Sequence, residues 1–173
     1  MANNNYIPIG HLPPGSNRTS FEWTGLDTQG DGWKELIVRA KVQSTASVFS
    51  NTITAQVNDV TSSTYTRTRF AMHDNTNTNV AYDTSQNQMY VGHMGGVYLG
   101  DWPAIFELKI MGCGSSLRGT TFVGRYGYGG HASNGYLGTG WSGGYYDNTA
   151  NITKIKLMAD FNDKSSATLY GRK

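Results

Sequence analysis

The sequence is poor in the residues that build disulfides, metal sites and catalytic clusters. It contains a single cysteine, Cys113, so no disulfide can form within the chain and a cysteine-rich metal site is excluded. Its four histidines lie far apart and show no spacing typical of metal ligands. No nucleophile elbow, P-loop or dinucleotide-binding fingerprint occurs. We therefore expect no metal site, no cofactor and no enzymatic activity.

Neither long hydrophobic runs nor concentrated charge is present. Seven lysines and seven arginines are scattered in ones and twos, and the formal net charge is +2, so no basic stripe could follow a row of phosphates. No apolar run approaches the length of about 20 residues that a membrane span needs, and no charged and apolar leader opens the chain. These features argue against nucleic-acid binding and membrane insertion, and we expect a soluble product made in the cytoplasm.

The abundant residues favour β-structure. Glutamate occurs only three times, whereas glycine occurs 22 times and threonine, asparagine, serine and tyrosine are plentiful. Near the end of the chain, Ile155, Leu157, Ala159 and Phe161 alternate with more polar residues, a pattern typical of a half-buried strand. After the polar turn 162–166, residues 167–170 predict a second strand. We expect these two strands to form a hairpin.

Further alternating segments predict strands at 21–24, 35–42, 53–57, 65–72, 89–91, 97–99, 104–111 and 120–125. The polar stretch 73–88 shows no apolar periodicity and predicts a long surface loop. The segment 27–32 contains two aspartates beside glycines and predicts a turn, because the other ligands of a calcium loop are missing. These strands at fairly regular spacing, without a helix, predict an all-β fold over 21–173, a two-sheet antiparallel β-sandwich of the jelly-roll type.

Residues 1–20 differ in composition from the rest of the chain. They contain three of the four prolines, and such a segment favours extended conformations and cannot pair as a central strand. We predict an extended N-terminal arm whose apolar residues dock on a neighbouring subunit or another protein; a disordered terminus is the alternative. The candidate docking residues are Tyr6, Ile7, Ile9 and Leu12.

A segment rich in glycine and aromatic residues lies between 122 and 146. Glycine permits turns, while tyrosine and tryptophan offer flat faces with a polar tip, so this segment predicts a surface-recognition loop. Its aromatic rings could stack on sugar rings; alternatively, Trp141 and half of the tyrosines fill the ends of the sandwich or a subunit interface. The candidate residues of this recognition loop are Tyr126, Tyr128, His131, Tyr136, Trp141, Tyr145 and Tyr146.

Four segments carry a resemblance to a known group of proteins. They read W-K-E-L-I-V-R-A at 33–40, I-T-A-Q-V-N-D at 53–59, N-T-A-N-I-T-K-I-K-L at 148–157 and A-T-L-Y-G at 167–171. In this order they resemble small β-sandwich virion proteins of tailed bacteriophages, which are similar to carbohydrate-binding modules. The group usually has serine where this chain has Thr168, and the aromatic segment departs from its pattern.

The resemblance implies a non-catalytic module on the virion surface. It implies either a capsid decoration (cement) protein or a tail-associated module that binds a receptor or a host surface glycan. No shaft-like repeat precedes residue 21, which favours decoration. We expect a homo-oligomer, with a trimer favoured by the three-fold sites of capsid lattices, that contacts the major capsid protein or neighbouring virion proteins.

Overall fold

A computed structural model describes residues 5–46, 50–73, 77–95, 103–113, 119–129 and 138–173. These residues form strands and turns and contain no helix. The described part of the chain therefore has no helix long and apolar enough to cross a bilayer. The strands are β1 (Ile7–Leu12), β2 (Arg18–Thr24), β3 (Glu35–Val42), β4 (Ser50–Val57), β5 (Tyr65–His73), β6 (Asn77–Gln86), β7 (Met89–Gly95), β8 (Ala104–Met111), β9 (Thr120–Tyr128), β10 (Gly138–Tyr146), β11 (Lys154–Phe161) and β12 (Ser166–Arg172).

The strands form two antiparallel sheets that pack as a sandwich. The larger sheet has eight strands in the order β1-β12-β3-β8-β9-β10-β5-β6, and the smaller has four in the order β2-β11-β4-β7. One apolar core lies between them, and Ile155, Leu157 and Phe161 are fully buried in it. The predicted all-β sandwich is confirmed, and the alternation at 155–161 correctly placed Ile155, Leu157 and Phe161 on the buried face.

The predicted hairpin at the end of the chain is wrong. β11 pairs with β2 and β4 in the smaller sheet, whereas β12 pairs with β1 and β3 in the larger one. Ser165 lies in the connection, where its Oγ donates to the carbonyl oxygen of Gln43 and accepts the backbone N–H of the same residue. The polar segment 162–165 is therefore a corner between the two sheets. A period of two specifies which face is buried and not which strand is the neighbour.

Two segments that the sequence analysis interpreted as loops are strands. Residues 77–86 form β6, which pairs with β5 and stands at one edge of the larger sheet. Its polar composition gave no apolar alternation, because most of its described side chains are exposed. Residues 138–146 form β10, a central strand between β9 and β5. Glycine in β10 is therefore not a turn former but part of a packed sheet.

The sequence predicts an extended arm over residues 1–20 and a separate sandwich domain from residue 21. The structure of the N-terminal segment differs from this prediction. β1 is the edge strand beside β12, and β2 already begins at Arg18 in the smaller sheet. Pro8 is tolerated because an edge strand has one unpaired side, and the register shifts between Pro8 and Gly10. Over its described residues, the segment is thus part of the sandwich.

Glycines of β10 make room for aromatic rings of β9. The register places Gly138 opposite Tyr128, Gly140 opposite Tyr126 and Gly144 opposite Phe122. A Cβ atom on Gly144 would lie 2.5 Å from Cζ of Phe122 and 2.1 Å from the carbonyl oxygen of Thr66. Real Cβ atoms do not approach other atoms so closely, so the aromatic core requires glycine at these inward positions of β10.

This packing predicts a difference between two adjacent glycines. Gly144→Ala should lower the free energy of unfolding by about 1–3 kcal/mol, because the methyl group overpacks the core against Phe122 and backbone. Gly143→Ala is the matched control. Its Cβ atom would lie no closer than 3.7 Å to its neighbours, so we expect a change below about 0.5 kcal/mol. Urea unfolding measures both, and equal effects would contradict the proposed role of glycine.

Candidate binding surfaces

The structure divides the residues of the predicted recognition loop into two sets. Tyr126, Tyr128 and Tyr146 are buried in the core. Trp141 and Tyr145 are 52% and 37% exposed on β10. His131 and Tyr136 lie outside the described residues. Of the described candidates, only the two exposed side chains can take part in recognition.

Alternation along β10 directs Trp141 to the outer face of the larger sheet. The inward positions include Gly138, Gly140 and Gly144. Trp141 and Tyr145 occupy outward positions, each two residues from Gly143. Gly143, also outward, leaves the sheet surface flat between the two aromatic side chains. The inward glycines therefore ensure that every large side chain near the middle of β10 points outward.

An apolar patch surrounds Trp141. Register places Trp141 beside Phe70 on β5 and Phe70 beside Val80 on β6, with their side chains on one face. The rings of Phe70 and Trp141 stack, with centroids 5.9 Å apart and an interplanar angle of 19°. Val80 is 74% exposed and Tyr82 is 68% exposed. We call Phe70, Met72, Val80, Tyr82 and Trp141 the apolar strip. Contiguous exposed apolar patches of this kind mark interaction sites.

A cationic trough adjoins the apolar strip on the same face. From Trp141 the register continues through Arg125 and Glu107 to Arg39, and Nε of Arg39 lies 2.8 Å from Oε2 of Glu107. The trough has a volume of about 650 Å³ and also contains Lys41. Among the described residues, Lys41 and Arg125 form no ion pair. With three cations and one carboxylate, the trough favours an anionic group.

A separate polar groove of about 550 Å³ is lined by residues of both sheets. Nε of Arg67 pairs with Asp83 at 2.9 Å, and the guanidinium of Arg69 lies 5.4 Å from the centroid of the Tyr90 ring. Nε of Arg69 is buried and has no hydrogen-bond partner in the described part of the chain. Asp160 also lines the groove, so its charges balance. The groove offers hydrogen-bonding groups without an excess of either charge.

Most of the apolar strip cannot be recognised from the sequence. Phe70 and Met72 alternate like core residues, and Val80 and Tyr82 lie in a polar segment that predicts a loop. One signal was present in β5, where Arg67 and Arg69 alternate with Thr68 and Phe70. One face of β5 therefore carries two arginines and the other carries Phe70, so neither face has the composition of a typical inner or outer face. Only the neighbouring strands decide which face is the outer one.

The N-terminal candidate residues contact the chain's own sandwich. Ile9 and Leu12 pack against the core, and Oη of Tyr6 donates a hydrogen bond to Oε1 of Glu35. Ile7 is 49% exposed. Three of the four residues are thus engaged within the chain, and Ile7 is the member of the set whose side chain is open to another molecule.

Glu35 anchors this end of the larger sheet. Its side chain is only 3% exposed, and its carboxylate forms ion pairs with Nζ of Lys109 at 2.8 Å and with a guanidinium nitrogen of Arg172 at 2.6 Å. Burial alone would raise the pKa of Glu35, but the hydrogen bonds from Lys109 and Tyr6 outweigh burial, and the pKa lies below its ordinary value of 4.5. The ionised carboxylate of Glu35 in β3 therefore joins β8, β12 and Tyr6, the residue just before β1.

The described residues show no centre for metal chemistry. They contain no group of three or more histidine, cysteine, aspartate or glutamate side chains that could hold an ion. In the turn at 27–32, Oδ1 of Asp27 accepts the backbone N–H of Gly30 at 2.8 Å and Nδ2 of Asn151 at 2.7 Å. The aspartate is occupied in shaping a turn, as its neighbouring glycines indicate.

Comparisons of the chain with protein-family models, with curated proteins and with solved structures find no match. The apolar strip and the adjoining trough form the candidate binding surface on the outer face of the larger sheet.

The depressed pKa of Glu35 predicts a pH dependence of stability. A carboxylate whose folded-state pKa is lowered contributes stability above its unfolded pKa, near 4.5, and loses it as the pH falls through the folded-state value. Glu35→Gln should lower the free energy of unfolding by about 1.5–3 kcal/mol at pH 7 and by less at pH 3. Urea unfolding at both pH values measures this difference.

Glu107→Gln is the control for Glu35→Gln. Glu107 is 35% exposed and pairs with Arg39, which is 56% exposed, so its ion pair contributes little to stability. If Glu107→Gln lowered the free energy of unfolding at pH 7 as much as Glu35→Gln does, the buried position of Glu35 would have no special importance for stability.

Proposed function

We propose that the protein is a non-catalytic structural module of a tailed-bacteriophage virion, a capsid decoration protein that attaches through the outer face of its eight-stranded sheet. The observation that carries the proposal is the apolar strip next to the cationic trough. The resemblance of four sequence segments to phage virion proteins supports it, and so does the β-sandwich fold.

The apolar strip has the composition of a protein interface. Trp141, Tyr82, Phe70 and Met72 belong to residue types that are enriched where proteins meet, and Trp and Tyr often supply most of the binding energy. The rings lie on a sheet, so ordering them on binding costs little entropy. A flat protein surface can cover the strip without rearrangement of the backbone.

The trough indicates which charges the partner surface carries. Lys41 and Arg125 form no ion pair within the described residues, so carboxylates of the partner would gain charge pairs at the border of the apolar contact. We infer a partner whose apolar patch is bordered by aspartate or glutamate, a major capsid protein or a neighbouring virion protein. Repeated copies of such a contact on a capsid would give durable attachment even if each contact were weak.

Glycan recognition by a tail-associated module is the second candidate function. It is favoured by the stacked pair of Phe70 and Trp141, because the exposed face of Trp141 can stack on a sugar ring. Hydroxyl groups of a host surface glycan could then bond polar side chains of the trough, such as Thr168 and Ser166. Both functions use the same face but differ in the partner.

Attachment to capsids tests the proposed function. Trp141→Ala should weaken co-sedimentation of the protein with capsids that lack it by about tenfold or more, because an exposed aromatic anchor is lost while the core is unchanged. Arg125→Glu should also weaken attachment and reduce its dependence on salt. Circular dichroism and thermal unfolding verify that both variants keep their fold.

Ile7→Ser is the control for Trp141→Ala. Ile7 is 49% exposed but lies on the opposite edge of the larger sheet, so its substitution should leave attachment unchanged. Loss of attachment in Ile7→Ser, with normal attachment of Trp141→Ala, would place the contact on the N-terminal segment and contradict the proposal. Binding of the intact protein to a glycan array, lost in Trp141→Ala, would favour the second function.

A further inference from the structure

Among the described strands, β6 has the longest open edge. β6 has ten residues and stands at the end of the eight-stranded sheet, with β5 as its partner on one side. On the other side, the backbone N–H and C=O groups of alternate residues have no strand partner in the described part of the chain. Such groups form a template for pairing with a further strand.

The other edge of the larger sheet carries protection that β6 lacks. β1 has only six residues, contains Pro8 and has a register shift. β6 contains no proline, lysine or arginine. Its single charged residue, Asp83, pairs with Arg67 of its own neighbour β5. β6 also has a register shift against β5, but it lies between Asp83 and Gln86 near the C-terminal end, where Ser85 has a φ of 54°. The regular part of β6 is therefore open to pairing.

We propose that β6 pairs antiparallel with β6 of a second copy of the chain. Its own sequence provides the argument for this occupant, because one register is self-complementary. With Ala81 on the two-fold axis, Val80 lies opposite Tyr82 of the partner subunit, and Tyr82 lies opposite Val80 of the partner subunit. Pairs of an aromatic and a β-branched residue are among those that stabilise antiparallel sheets.

Neighbouring registers are less favourable. Only shifts by two residues keep the apolar strip on one face of the joined sheet. Moving the axis to Val80 leaves Tyr82 opposite a threonine, and moving it to Tyr82 leaves Val80 opposite a threonine. Moving it to Asp83 would bring two carboxylates directly together. The register centred on Ala81 pairs Val80 and Tyr82 of each copy at once and places Asp83 opposite Asn79 of the partner subunit.

Pairing would make one sheet of sixteen strands, eight from each copy. The two apolar strips would meet across the two-fold axis and form one continuous surface on the same face. Because identical edges meet antiparallel, the contact closes with two copies and gives a dimer, in contrast to the trimer expected from capsid symmetry. A single pair of edge strands is a small interface, so we expect a reversible dimer.

This inference does not rest on the proposed function, since it concerns the isolated protein. Sedimentation velocity of the purified chain over a range of concentrations should show a reversible equilibrium between monomer and dimer. Val80→Lys, which adds a positive charge beside the free edge at an exposed position, should abolish the dimer and leave the thermal unfolding temperature unchanged. A chain that stays monomeric at high concentration, or that forms a trimer, would overturn the proposal.

Cross-linking tests the register. In the proposed pair the two Ala81 Cα atoms lie about 4.5–5.5 Å apart, within the range of a disulfide, so Ala81→Cys should form a covalent dimer under mild oxidation. Asn79→Cys is the matched control. Its two copies would be offset by four residues, about 13 Å along the strands, which is too far for a disulfide.

The native thiol should not interfere with this test, because Cys113 is 2% exposed and its Sγ donates to the carbonyl oxygen of Trp33. Faster cross-linking of Ala81→Cys than of Asn79→Cys supports the register. Equal rates, or faster cross-linking of Asn79→Cys, contradict it. Trp141→Ala should dimerise normally, so failure of capsid attachment and failure of dimerisation can be told apart.

Discussion

Aromatic rings of β9 occupy the space in which inward side chains of β10 would otherwise lie. Tyr126, Tyr128 and Phe122 fill this part of the core, and glycine is the residue that fits opposite each of them. Since β10 can carry no bulk at Gly138, Gly140 and Gly144, the large side chains in the middle of the strand lie on the outer face, and only Tyr146 at its end adds a ring to the core. The same steric constraint thus closes the core and exposes Trp141 and Tyr145 on the sheet surface.

The unequal widths of the sheets explain where the candidate surfaces lie. β7, the edge of the smaller sheet, packs against β8, β9, β10 and β5, and the larger sheet continues beyond it to β6. β6 therefore contributes little to the core and tolerates polar residues on its inner side, such as Asp83 paired with Arg67. Consequently the apolar strip and the open edge lie side by side, and a partner at one would adjoin a partner at the other.

Much of the sandwich could be predicted from alternation, as for Ile155, Leu157 and Phe161, because burial of one strand face imposes a period of two. The sheet partners could not, since they depend on long-range packing; β11 and β12 consequently looked like a hairpin. The segment 138–146 looked like a loop because its glycines are explained only by rings from β9. Trp141 could be identified as a candidate from its chemistry. Val80 and Tyr82 could be recognised as part of the same surface only from the pairing of β6 with β5.

Hydroxyl-radical footprinting of the protein, free and on intact virions, tests most directly the claim that the outer face of the larger sheet is the attachment surface. Trp141, Tyr82 and Met72 are reactive residue types and are 52%, 68% and 42% exposed in the isolated chain. Their modification should fall severalfold on the virion, while that of Met158 on the smaller sheet should not change. Unchanged modification of Trp141, Tyr82 and Met72 on virions that carry the protein would contradict the account.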